Sequence, residues 1–142
     1  MRSRQTKTID GIIISEEDLW PWISTAFEGG SNYWIESVNT TKDTENFRQM
    51  FADTFEHTVV GWRWLHQVPF VLAGDSKWKG HELEIKSETN TNYITIHSLF
   101  EGLEKMFENS NRHYWDLINE DFDAITADVF LQYAVFGEVI YG

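Results

Sequence analysis

Apolar residues crowd the stretch from Asn119 to Gly142, NEDFDAITADVFLQYAVFGEVIYG, until little polar character is left in its second half. Phe122, Ile125, Val129, Tyr133 and Phe136 recur at steps of three and four, and Ala124, Ala127, Leu131, Ala134 and Val135 fill the other sides. This pattern predicts a helix buried on every face, around which the rest of the chain must provide cover. Asp121 or Asp123 caps its first turn, and Gly137 gives it a place to stop.

The earlier segments are read the same way. Ile12, Ile13 and Ile14 form a β-branched run that suits an edge strand or a hydrophobic staple before a helix. Leu19, Ile23, Ala26 and Phe27 then mark the core face of a helix within 16–28, ended by Gly29 and Gly30. Its start is open. Ser15 with Asp18 has capping-box spacing but puts Pro21 in the second turn, whereas Asp18 as N-cap puts Pro21 harmlessly in the first. The segment from Ser31 to Ile35 reads as the next strand or as a helix continued across a break.

The polar run 39–46 predicts a loop, and Phe47, Met50, Phe51 and Phe55 predict a short helix over 44–55. Residues 58–71 suit a strand with Val60, Trp62 and Trp64 on one parity, which Pro69 confines to an edge or an end. After a turn region at 74–80, Leu83 and Ile85 alternate with Glu82, Glu84 and Lys86. Tyr93 to Ile96 alternates again across the polar turn 87–92, so the pair predicts an antiparallel hairpin. Thr95 or Ser98 caps the following helix, with Leu99, Phe100, Leu103, Met106 and Phe107 as its stripe and 109–111 as its close.

The expected fold is therefore α+β: a small antiparallel sheet of three or four strands packed against a buried C-terminal helix and two or three further helices. One domain spans 1–142, with 1–10 as a flexible tail.

Charge and composition narrow the partners. The chain carries 23 acids against 11 bases, a net charge of -12, which argues against direct nucleic-acid binding and suits a partner with a basic surface. The absence of cysteine removes disulfides, thiolate catalysis and cysteine-based zinc sites. No apolar run is long enough for a membrane span and the N-terminus lacks an apolar signal core, so a cytoplasmic protein is expected. His57, His66, His81, His97 and His113 are scattered without metal-helix spacing, and neither a phosphate-cradling glycine loop nor a GxSxG elbow is present. No catalytic residue, metal or cofactor is assigned.

Some residues stand above this background. Asp128, Gln132 and Glu138 lie within the most apolar stretch and need donors or acceptors; their plain reading is a bond to neighbouring backbone or a place on an exposed strip. Asn32, Tyr33 and Trp34 follow the double glycine and present an amide and two rings to a ligand pocket, unless they pack as core. Trp62, Arg63, Trp64 and His66, with Trp78 further along the chain, are of hot-spot type and form a candidate contact surface, unless both Trp62 and Trp64 pack as core. Glu101, Glu104 and Glu108, on the polar side of their helix, are the acids best placed to meet a basic partner.

The segments Glu28 to Trp34 (EGGSNYW), ELEI with YITIHSLFEGLEKM, and the ending ADVFLQYAVFGEVIYG resemble a family of short acidic proteins encoded by phages and prophages. The resemblance spans more than half the chain and departs from the family over 40–80. It implies no catalytic activity, only a setting: a mobile element acting in the cytoplasm of a bacterial host cell. Two function classes follow. One is a non-enzymatic accessory protein that binds and inhibits a host protein, such as an anti-CRISPR-like inhibitor of a defence nuclease. The alternative is a small-molecule binder that sequesters a nucleotide immune signal, with Arg63, Lys77, Lys79 and Arg112 as the bases available to converge on it. An enzyme ranks third, and a homo-oligomer is left open.

Overall fold

The structure, a computed structural model, describes residues 5–40 and 82–142. The helix expected over 44–55, the strand over 58–71 and the turn at 74–80 lie outside those residues. The described chain is α+β, as expected.

Two strands open it, β1 (Thr6–Ile9) and β2 (Ile12–Ser15), paired antiparallel with Thr6 opposite Ser15 and Ile9 opposite Ile12. Between them Asp10 and Gly11 both have positive φ, 51° and 79°, the backbone of a two-residue hairpin turn. Within the flexible tail expected at 1–10, Thr6–Ile9 is a strand, which corrects the expectation for those residues. Ile9 and Ile14 reach the core while Ile13 points to solvent at 69% exposure.

Helix α1 (Glu16–Thr25) follows with Ser15 as N-cap. Asp18 accepts the Ser15 backbone N–H at 2.8 Å and its hydroxyl at 3.1 Å, which selects the earlier of the two predicted starts. Pro21 accordingly stands inside the helix, on its exposed side, where water can meet the carbonyl that lacks its usual N–H. Leu19, Ile23, Ala26 and Phe27 are fully buried, as the spacing predicts.

The second sheet has the order β3 (Ile35–Thr40), β4 (Leu83–Ser87), β5 (Thr91–Ile94), all antiparallel. Leu83 faces Ile94 across the predicted hairpin, and Val38, Leu83, Ile85 and Ile94 turn to the core. The second strand ends two residues sooner than expected. Thr95 is already the N-cap of α2 (Ile96–Asn109), bonded to Ser98 in both directions.

A short helix without a clear sequence signal, α3 (Asn111–Ile118), connects to the C-terminal helix α4 (Ala124–Phe136). Asp123 caps α4 by accepting the Thr126 N–H at 2.9 Å, and Gly137 ends it in the left-handed conformation at φ 77°. Every residue from Thr126 to Tyr133 is buried. Two expected stripe residues depart from the pattern: Phe122 precedes the helix and Ile125 is 68% exposed. Packing places α4 against α1, α2, α3 and β5, with Phe130 edge-on to Trp22 at 5.7 Å. No helix among the described residues is long and apolar enough to cross a membrane.

Candidate functional site

The last turn of the first helical segment widens into a π-turn, Ala26–Gly30, in which the Ser31 N–H reaches the Ala26 carbonyl at 2.8 Å. Wide turns of this kind re-aim the residues that follow and recur at functional sites. Gly30 lets this one sit directly against the start of α4, because a Cβ there would collide with the Ala124 carbonyl oxygen. The turn delivers Ser31, Tyr33 and Trp34 to the face of α4 that carries Asp128.

Asp128 is 6% exposed and its two oxygens take four donors. Oδ1 accepts from Ser31 Oγ and from Trp34 Nε1, each at 2.7 Å. Oδ2 accepts from the Tyr33 hydroxyl at 2.6 Å and from Gln132 Nε2 at 3.0 Å. A carboxylate offers about four lone-pair positions, so this one is saturated. Among the described residues, the cost of burying this polar group is answered by four side-chain hydrogen bonds.

Gln132, one turn further along α4 and fully buried, extends the network to the end of the chain. Its Oε1 accepts the N–H groups of Ile140 and Tyr141, each at 2.9 Å, and its Nε2 donates to the Tyr141 carbonyl at 3.3 Å. The Tyr141 ring stacks on Trp34 with centroids 5.4 Å apart and planes 4° from parallel. Phe136 leans on both rings.

Tyr33 is the member that meets solvent. Its ring is 59% exposed while its hydroxyl is fixed to Asp128. Desolvation, then the hydrogen bond and charge of Asp128, push the phenol from the ordinary 10.0 up to about 12. It is a fixed, neutral, donating phenol with an open aromatic face. Ile125 is one turn before Asp128 on the same side of α4, and Val139 and Ile140 are half exposed on the segment held by Gln132. Both Asp128 oxygens are thus engaged by side-chain donors, and what the site presents outward is the Tyr33 ring.

The predicted residues divide. Tyr33 and Trp34 are brought together with Asp128 and Gln132, Trp34 buried and Tyr33 at the surface. Asn32 is exposed beside them. Glu138 is exposed and stands outside this network. The plain reading holds in part for Gln132, which bonds the Ile140 and Tyr141 backbone but also the side chains of Asp128 and Tyr33, and is corrected for Asp128, whose partners are side chains, three of them more than 90 residues away. Glu101 and Glu108 are exposed on α2, Glu101 paired with His97 at 3.0 Å, whereas Glu104 is engaged by Lys7 of β1 at 2.6 Å. Trp62, Arg63, Trp64, His66 and Trp78 lie outside the described residues. Among the described residues, no group of three His, Asp or Glu side chains could hold a metal ion. Ser31 is the member that sequence reasoning missed. The available signal was a row of side-chain donors just after a double glycine, in a chain with a lone Asp inside its most apolar helix.

Compared with known proteins, no family model matches the chain, no curated protein matches it, and no solved structure matches its fold.

Proposed function

We propose that the chain is a non-catalytic binding protein whose contact surface is centred on Tyr33. In the setting implied by the sequence resemblance, it is a phage accessory protein that binds and inhibits a bacterial host protein in the anti-defence manner. The observation that carries this reading is the Tyr33 geometry: a ring 59% exposed whose hydroxyl is held at 2.6 Å by a buried carboxylate. A side chain fixed before binding loses little conformational entropy on association, and tyrosine is among the residues that dominate interface energies. Exposed Ile125, one turn before Asp128, and Val139 and Ile140, on the segment bonded to Gln132, add apolar area. The net charge of -12, with Glu101 and Glu108 exposed, suits long-range attraction to a basic partner.

The test compares proteins retained from host lysate by wild type, Tyr33→Ala and Ile125→Glu at equal folded concentration, read by quantitative mass spectrometry. The expected result is one or a few host proteins held by wild type and lost by both variants. Identical retention by all three removes the Tyr33 surface as the binding site.

A further inference from the structure

Past Gly137 the chain reverses and lies along the helix it has just left, yet burial of its aliphatic side chains is not what holds it there. Val139 and Ile140 are 42% and 45% exposed. The hold comes from Gln132, whose carboxamide clamps the Tyr141 backbone at both its N–H and its carbonyl and also accepts the Ile140 N–H. One side chain of the segment is seated: Tyr141, flat against Trp34, with Phe136 beside it. Main-chain bonds for hold and one aromatic slot for selectivity are the division of labour by which proteins bind extended peptides.

We propose that the groove between α4 and Trp34 is a peptide site, filled in cis by a strap formed by residues 138–141. An extended peptide bearing an aromatic side chain at the place of Tyr141 displaces the strap in trans. Gly137, in a left-handed conformation that L side chains rarely adopt, is the hinge at which the strap leaves α4. The open groove is demanding. Departure of the strap strips the Gln132 amide of three bonds at once and opens it to water, and a backbone laid in the same place restores all three while covering it again. Outward-facing Val139 and Ile140 show that the positions just before the aromatic carry little selectivity. The groove adjoins the Tyr33 surface, since Val139 and Ile140 belong to both and Gln132 also donates to Asp128 and to the Tyr33 hydroxyl, but Tyr141 and its slot lie outside that exposed patch, so Tyr141→Ala tests the groove without removing the Tyr33 ring.

The probe is a synthetic peptide, Gly-Glu-Val-Ile-Tyr-Gly, titrated calorimetrically into the full chain carrying Tyr141→Ala, which empties the aromatic slot and keeps Gln132. The expected result is saturable binding to Tyr141→Ala, at least tenfold weaker binding to wild type, where the strap competes, and none to Tyr141→Ala/Gln132→Leu. A peptide with Ala in place of Tyr is expected not to bind. Failure of the probe to bind folded Tyr141→Ala, or equal binding to the double variant, overturns the proposal. Hydrogen exchange on the unaltered chain gives an independent reading. The amides of Ile140 and Tyr141 are expected to exchange at least tenfold faster than those of Ala127 to Tyr133; exchange of both sets only in one common unfolding event overturns the strap.

Discussion

Tyr33 and Asp128 are 95 residues apart in the chain and 2.6 Å apart in the fold, phenol oxygen to carboxylate oxygen. This bond joins the turn after the π-segment to the central helix and makes the exposed ring of Tyr33 a rigid part of the surface.

Asp128→Ala is expected to be among the most damaging single changes. It leaves the buried Ser31 hydroxyl and Trp34 indole without an acceptor, at roughly 1–3 kcal/mol each, a large share of the ~5–15 kcal/mol that stabilises a typical domain. Urea denaturation checks this: a loss below about 1 kcal/mol would show that the network is incidental to stability.

Tyr33 gives the fold an alkaline limit. Its folded value of about 12 lies above the ordinary 10.0, so the protonated phenol is favoured by folding. The associated stability is fully present below about pH 10 and is lost as pH rises through about 12. Tyr33→Phe is expected to flatten stability against pH across that window, and ultraviolet titration of wild type should show one phenol ionising late. An unchanged slope in Tyr33→Phe would assign the limit to other groups, among them Tyr114, whose pKa is also raised, chiefly by burial and further by the charge of Asp10.

Tyr114 should be improvable. Its side chain is fully buried, stacked 5.0 Å from Phe107, and its hydroxyl has no hydrogen-bond partner among the described residues. Tyr114→Phe keeps the packing and deletes the orphan, so a gain of about 1 kcal/mol is expected, visible as a higher Tm. A loss of similar size would reveal a bound water or other partner at that oxygen.

Gly102 sets two effects against each other. Alanine in the interior of a helix is normally about 1 kcal/mol better than glycine. A Cβ at 102, however, would stand 2.6 Å from the backbone N and Cα of Ala134, and neither α2 nor α4 can give way cheaply. Gly102→Ala is therefore expected to lower Tm, and any increase would mean that the two helices separate more easily than their contact implies.

Much of this was legible in the sequence because it is written in short spacings. The buried α4, its Asp123 cap and Gly137 stop, the Thr95 cap and the Leu83–Ile94 hairpin all follow from residues within a few positions of one another. β1 was missed because Thr6–Ile9 offers one buried apolar residue among polar ones; the Asp10–Gly11 turn was its better signal. Pro21 misled only about the start of α1, since solvent exposure makes its lost hydrogen bond tolerable. The site was half legible. Tyr33, Trp34, Asp128 and Gln132 each stood out locally, but nothing in their spacing showed that one carboxylate collects donors from residues 31, 33 and 34. Such a meeting is decided by the packing of the whole domain.

The position of α4 in the chain also bears on how the protein is made. Synthesis runs from the N-terminus at about 5–20 residues per second, so once Tyr33 has been added roughly 5–20 s pass before Asp128 exists. Throughout that interval Phe27, Trp34 and the inner face of α1 have no central helix to cover them. The nascent chain must carry an unfinished apolar surface until α4 has been made.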